Sequence, residues 1–62
     1  MKPGATVAYV RDPSLYGVMV VDFVTHRGWV VCDDADGNRL GKFRPEELDD
    51  ADKYFVPPVH AA

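Results

Sequence analysis

A chain of 62 residues with net charge −3 and a single cysteine has room for one domain and no intrachain disulfide. A chain this short buries about 60% of its unfolded surface, so a lone core supplies only about 3–5 kcal/mol of stability. Its 47% apolar content excludes a disordered chain, and apolar runs no longer than Val18–Val21 exclude a membrane-spanning helix.

The opening "MKPGATVAYV" meets Pro3 and Gly4 before any apolar run, unlike a signal peptide. With Cys32 as its lone cysteine, the cytoplasm is the expected compartment. Charge is unevenly spread, and seven of the ten acids fall between Asp34 and Asp52. The basic residues form no run, which argues against nonspecific neutralisation of nucleic-acid phosphates. Arg39, Lys42 and Arg44 are the local exception, because 42 and 44 share one face of a strand. They are candidate nucleic-acid contacts, weighed against a plain solvated strand face.

Taken in chain order, the apolar residues recur with a period of two. "ATVAYVR" (5–11) predicts a first strand rich in β-branched and aromatic residues. "DPSLYG" (12–17) is a loop, with Asp-Pro-Ser as turn chemistry and Gly17 free to take an unusual backbone angle. "VMVVDFVTH" (18–26) predicts the second strand and is apolar on both faces. "RG" (27–28) turns the chain, "WVVCD" (29–33) is the third strand and "RLGKFR" (39–44) the fourth. "PEEL" (45–48) opens on proline, which suits the first position of a short helical turn. "KYFV" (53–56) reads as a short closing strand, and 57–62 as a flexible C-terminal tail.

Five short strands in so few residues predict an all-β domain over 1–56, bent into a small barrel that leaves few open edges. The doubly apolar second strand fits a bend that buries one face and then the other. The alternative is a second subunit covering one of those faces.

The "PG-x-x-V" opening, the glycine before "VMVVDFV", the "DG" turn and the Phe-x-Pro-Glu-Glu-Leu ending together resemble the SH3-like small barrels. These include Tudor-like and KOW-type modules, and the likeness spans residues 3–56. It implies a five-stranded barrel with a 3₁₀ turn before the last strand, acting as a binding module and seldom as an enzyme. The subfamily patterns fit less well. RNA-binding KOW modules carry basic residues and glycines where this chain reads "VRDPSLYG". Methyl-lysine readers need an aromatic cage, and Tyr9, Tyr16, Trp29 and Phe43 lack its spacing. Signalling SH3 domains open on an "ALYDY"-like stretch with paired tryptophans; here Tyr16 beside Asp12 is the nearest match. The small plasmid-borne dihydrofolate reductases carry "VQIY" where this chain has "GKFR".

"CDDADGN" (32–38) looks most like chemistry and fails as a calcium loop. Gly37 at the sixth loop position puts Cys32 first and Phe43 twelfth, where carboxylates are needed. A hairpin tip fits better, with Asp36-Gly37 or Gly37-Asn38 supplying the positive backbone angles. Cys32 and His26 would need a third orienting group to act as nucleophile and base. His26, Cys32 and His60 fall short of a zinc set, so neither metal nor cofactor is expected. "PEELDDAD" reads as a solvated helical turn or an acidic docking surface.

The aromatics carry more information. Val30 and Cys32 are expected inside, which leaves Trp29 partly exposed near Tyr16 or capping the open end of the barrel. Tyr16, Trp29, Phe43 and Arg44 are therefore the candidate contacts of a non-catalytic interaction module with a protein partner. The other readings are a nucleic-acid-associated barrel using Arg39, Lys42 and Arg44, and a homo-oligomer with its site at the interface.

Overall fold

In the computed structural model, which describes residues 1–55, five antiparallel strands form one sheet. They are β1 (Thr6–Tyr9), β2 (Met19–Val24), β3 (Val30–Asp33), β4 (Arg39–Phe43) and β5 (Leu48–Asp50). Their order is β4-β3-β2-β1-β5, with β4 and β5 at the edges and unpaired with each other. The all-β expectation holds, while the sheet itself is not closed. One helical turn, α1 (Pro13–Tyr16), follows β1, and 3₁₀ turns at Pro45–Glu47 and Ala51–Lys53 flank β5. No helix among the described residues is long and apolar enough to cross a membrane.

Two hairpins are built by the same local device. The Thr25 N–H donates to the Trp29 carbonyl (2.9 Å) and the Gly28 N–H to the Thr25 carbonyl (3.0 Å). The Asp34 N–H donates to the Asn38 carbonyl (2.8 Å) and the Gly37 N–H to the Asp34 carbonyl (3.1 Å). Gly28 and Gly37 take φ of +83° and +88°, the left-handed angle that closes a type I turn with a bulge. In each hairpin a side-chain oxygen also accepts the N–H four residues on: Thr25 Oγ1 from Trp29 (3.1 Å) and Asp34 Oδ1 from Asn38 (2.9 Å). Asp34 Oδ1 accepts from the Asp36 N–H as well (2.9 Å). These donors, the Asn38 N–H foremost, hold the Asp34 carboxyl below its usual range. Asp34–Asn38 of "CDDADGN" is therefore turn chemistry, and Cys32 and Asp33 end β3.

Two bulges shape the sheet. Val21 pairs with Cys32 and Phe23 with Val31, so Asp22 is an extra residue in β2. Cys32 pairs with Gly41 and Asp33 with Arg39, so Leu40 is extra in β4. The first bulge moves the inward phase of β2 by one residue. Met19 and Val21 enter the core, and the next core-side position is Val24, opposite Val30, rather than Phe23.

The core comprises Val7, Met19, Val21, Val30, Cys32, Phe43 and Leu48. Val31, on the opposite face of β3 from Val30 and Cys32, is buried too, set by the pairing between Phe23 and Lys42. Within the chain a bend does not bury both apolar faces of β2. Phe23 and Val24 stay 44% and 43% exposed, so its second half is apolar without being covered.

Two further expectations change. Residues 12–17 are a loop only at their ends, since Pro13–Tyr16 form a helical turn in which Pro13 takes the first position. Among the described residues the last strand is Leu48–Asp50, and 53–55 of the expected closing strand 53–56 form no strand. The Leu48–Asp50 backbone pairs with β1 at Tyr9, Ala8 and Val7, and Lys53 already lies in a 3₁₀ turn. Val56 and the expected tail 57–62 lie outside the described residues.

Met19 has no exposed surface. Met19→Ala should cost about 2–5 kcal/mol, most of what a domain of this size holds, and shift the urea midpoint accordingly or abolish the folded baseline in circular dichroism. Asp34 has its carboxyl lowered on folding, so its contribution is present above the unfolded value of 3.8 and lost as pH falls through the folded one. Asp34→Ala should lower the unfolding midpoint at pH 7 and flatten its decline in acid; an unchanged acid limb in the variant would contradict this.

Candidate functional site

The outer side of the sheet is where the structure gathers polar and aromatic groups. Pairing sets Phe23, Val31 and Lys42 in one row across β2, β3 and β4. Trp29 leads into β3 and is half-buried, and Arg44 continues β4 with an extended backbone (φ −77°, ψ 147°). The two cations meet the one indole. The Arg44 guanidinium carbon lies 3.7 Å from the Trp29 ring centroid, and Lys42 Nζ lies 4.6 Å from it. Both are within the distance at which a cation is attracted to the ring face. Arg44 Nη1 also donates to the Arg27 carbonyl (3.4 Å), tying the stack to the β2–β3 turn. Its backbone N–H donates to Glu47 Oε1 (2.9 Å), which holds the start of the following 3₁₀ turn.

Arg39 behaves differently from the other two cations of its strand. Its Nε donates to Asp33 Oδ1 and its Nη2 to Asp22 Oδ2, both at 2.6 Å. These carboxylates, Asp33 foremost, raise the guanidinium pKa further and neutralise its charge locally. Lys42 and Arg44 make no ion pair among the described residues, whose salt bridges involve Arg39 and Lys53 alone.

Tyr16 and Phe43 belong to another cluster. The Tyr16 ring stands edge-on to Tyr9 (5.5 Å) and Phe43 (5.4 Å), and Tyr9 lies 5.7 Å from Phe43. Phe43 is only 7% exposed and is part of the core, so these rings seat α1 on the sheet. The four candidate contacts thus divide between two places: Trp29 with Arg44, and Tyr16 with Phe43. Tyr16 does not pair with Trp29. Trp29 instead adjoins Lys42, a residue the sequence suggested only for nucleic acid, and the row includes Phe23, which the sequence did not single out. Phe23 was not legible because its exposure follows from the Asp22 bulge.

The remaining chemistry-bearing residues are placed as follows. Cys32 sits opposite Val21 with no exposed surface, while His26 lies in the turn beyond Val24. Burial first, and then Asp33, push the Cys32 thiol up to about 11, the reverse of what a nucleophile needs. Among the described residues no three His, Cys, Asp or Glu side chains are placed to hold a metal ion. Part of "PEELDDAD" is edge strand rather than helical turn. Asp49 and Asp50 lie in β5, where Asp49 pairs with Lys53 (3.2 Å) and lines a shallow groove with Met1, Thr6 and Asp52.

Comparison with known proteins brought no relative to this fold: no family model, curated protein or solved structure matches the chain.

At pH 8 Cys32 should resist a thiol reagent in buffer and react promptly in denaturant. Because its folded value of about 11 lies above the unfolded 9.0, folding stability is intact below pH 9 and falls as pH rises toward 11. Cys32→Ala should remove that alkaline slope from the urea-midpoint profile.

Proposed function

We propose that this chain is a non-catalytic interaction module, acting alone or as an accessory subunit, that docks a protein partner on the outer face of β2–β4. The observation that carries the reading is the stack of Arg44 and Lys42 on Trp29, with the half-exposed Phe23 in the same row as Lys42. Tryptophan and arginine are the residues that most often dominate protein interfaces, because they bring large area and directed hydrogen bonds at low entropic cost. A guanidinium already resting on an indole is held in place before a partner arrives, so less freedom is lost on binding.

The strand order and the 3₁₀ turn between β4 and β5 support membership of the SH3-like small-barrel superfold, in which binding modules are the common use. The cytoplasm is the proposed compartment, in line with a lone, buried thiol. Lys42 and Arg44 side by side would also suit phosphates. That reading is weaker, since Arg39 is neutralised by Asp22 and Asp33 and the chain is acidic overall.

Affinity capture from nuclease-treated lysate should retain a protein on the wild-type chain and lose it on Arg44→Glu. Retention that disappears with nuclease would shift the assignment to nucleic acid, and concentration-dependent mass in light scattering would shift it to self-association.

A further inference from the structure

Of the Arg44–Trp29–Lys42 stack, Lys42 lies in β4 and Arg44 directly follows it, and β4 has a neighbour on one side only. Lys42 and Arg44 are two residues apart on extended backbone, so both project from the same face of that edge. From this juxtaposition we infer that the ligand is an extended acidic peptide, added beside β4 with carboxylates at alternate positions facing Lys42 and Arg44. The inference rests on the protein-docking reading above and specifies its partner.

Three features of the face support this occupant. First, an incoming strand repeats the period of two, so its side chains at every second position fall directly across from Lys42 and Arg44. Second, the charge is complementary. Arg39 is already matched by Asp22 and Asp33, and the two cations left beside it lack a carboxylate among the described residues. Third, the Trp29 ring is covered by the chain's own cations at 3.7 and 4.6 Å. A covered ring is a poor platform for stacking a nucleobase, while the edge of the stacked guanidinium still presents N–H donors to a carboxylate. The positive charges also bar the commonest misuse of an edge strand. A second β4 brought alongside would set like charges near one another, whereas an acidic strand would not.

The test uses the intrinsic emission of Trp29, the single tryptophan of the chain. The probe is a synthetic peptide of alternating glutamate and threonine. Its control has the same number of glutamates at every third position, which sends successive carboxylates to opposite faces of a strand. The alternating peptide should perturb Trp29 and bind more tightly than its control, with affinity falling as salt is raised. Lys42→Glu combined with Arg44→Glu should weaken it by about tenfold or more, with an unfolding midpoint near wild type showing that the fold is retained. Equal binding of the two peptides, or no binding of either, would overturn the inference, as would tighter binding of an oligothymidylate. If a protein partner is still captured by the wild-type chain and lost on Arg44→Glu, protein docking stands and only the acidic-strand inference falls.

Discussion

In β2 the pairing of Val21 with Cys32 is followed at once by that of Phe23 with Val31, leaving Asp22 without a partner in the ladder. A second mismatch leaves Leu40 over in β4. Arg39 ties the first bulge to the strands beside it, reaching Asp22 of β2 and Asp33 of β3. Exposed ion pairs of this kind add little stability. Their consequence is geometric, since the bulge sets the phase of every later side chain in β2. The core receives Met19 and Val21, and Phe23 is turned to the outer row with Val31 and Lys42. Without that extra residue the outer face would carry a different set of groups.

Around this phase shift the chain economises on local devices. Both β2–β3 and β3–β4 close through a glycine at positive φ and a side-chain oxygen that accepts the N–H four residues on. One hairpin uses threonine and the other aspartate, so only the second is sensitive to acid. The entry to β1 is a tight turn too: the Ala5 N–H donates to the Lys2 carbonyl (3.0 Å) across Pro3 and Gly4, whose φ is +87°. Proline then glycine is the pairing a type II turn requires.

The cations of β4 show how placement changes the meaning of a charge. Arg39 is held by two carboxylates, while Lys42 and Arg44 rest on an indole that orients them without cancelling their charge. One strand thus carries a structural cation at its start and two available ones at its end. The aromatic residues divide in the same way, with Tyr9, Tyr16 and Phe43 holding α1 on the core side and Trp29 serving the outer face.

Features that depend on neighbours along the chain were legible in the residues alone. Strand periodicity marked the first four strands, Asp-Gly marked the β3–β4 turn, Cys32 and Phe43 at the first and twelfth positions spoke against a calcium loop, and Pro45 marked the 3₁₀ turn. The shared face of Lys42 and Arg44 was legible for the same reason. Features that depend on pairing between distant segments were not. Leu-Asp-Asp has little intrinsic strand tendency, yet β1 recruits it as β5, while the more β-prone Lys-Tyr-Phe lies outside the sheet. The exposure of Phe23 depends on a bulge defined only by the register against β3. Trp29 met Lys42 and Arg44 rather than Tyr16 because side chains adjacent across strands face one side of the sheet, and Phe43 and Tyr16 lie on the other. A strand's period is written in its own residues, but its register and its neighbours are fixed only when the sheet assembles.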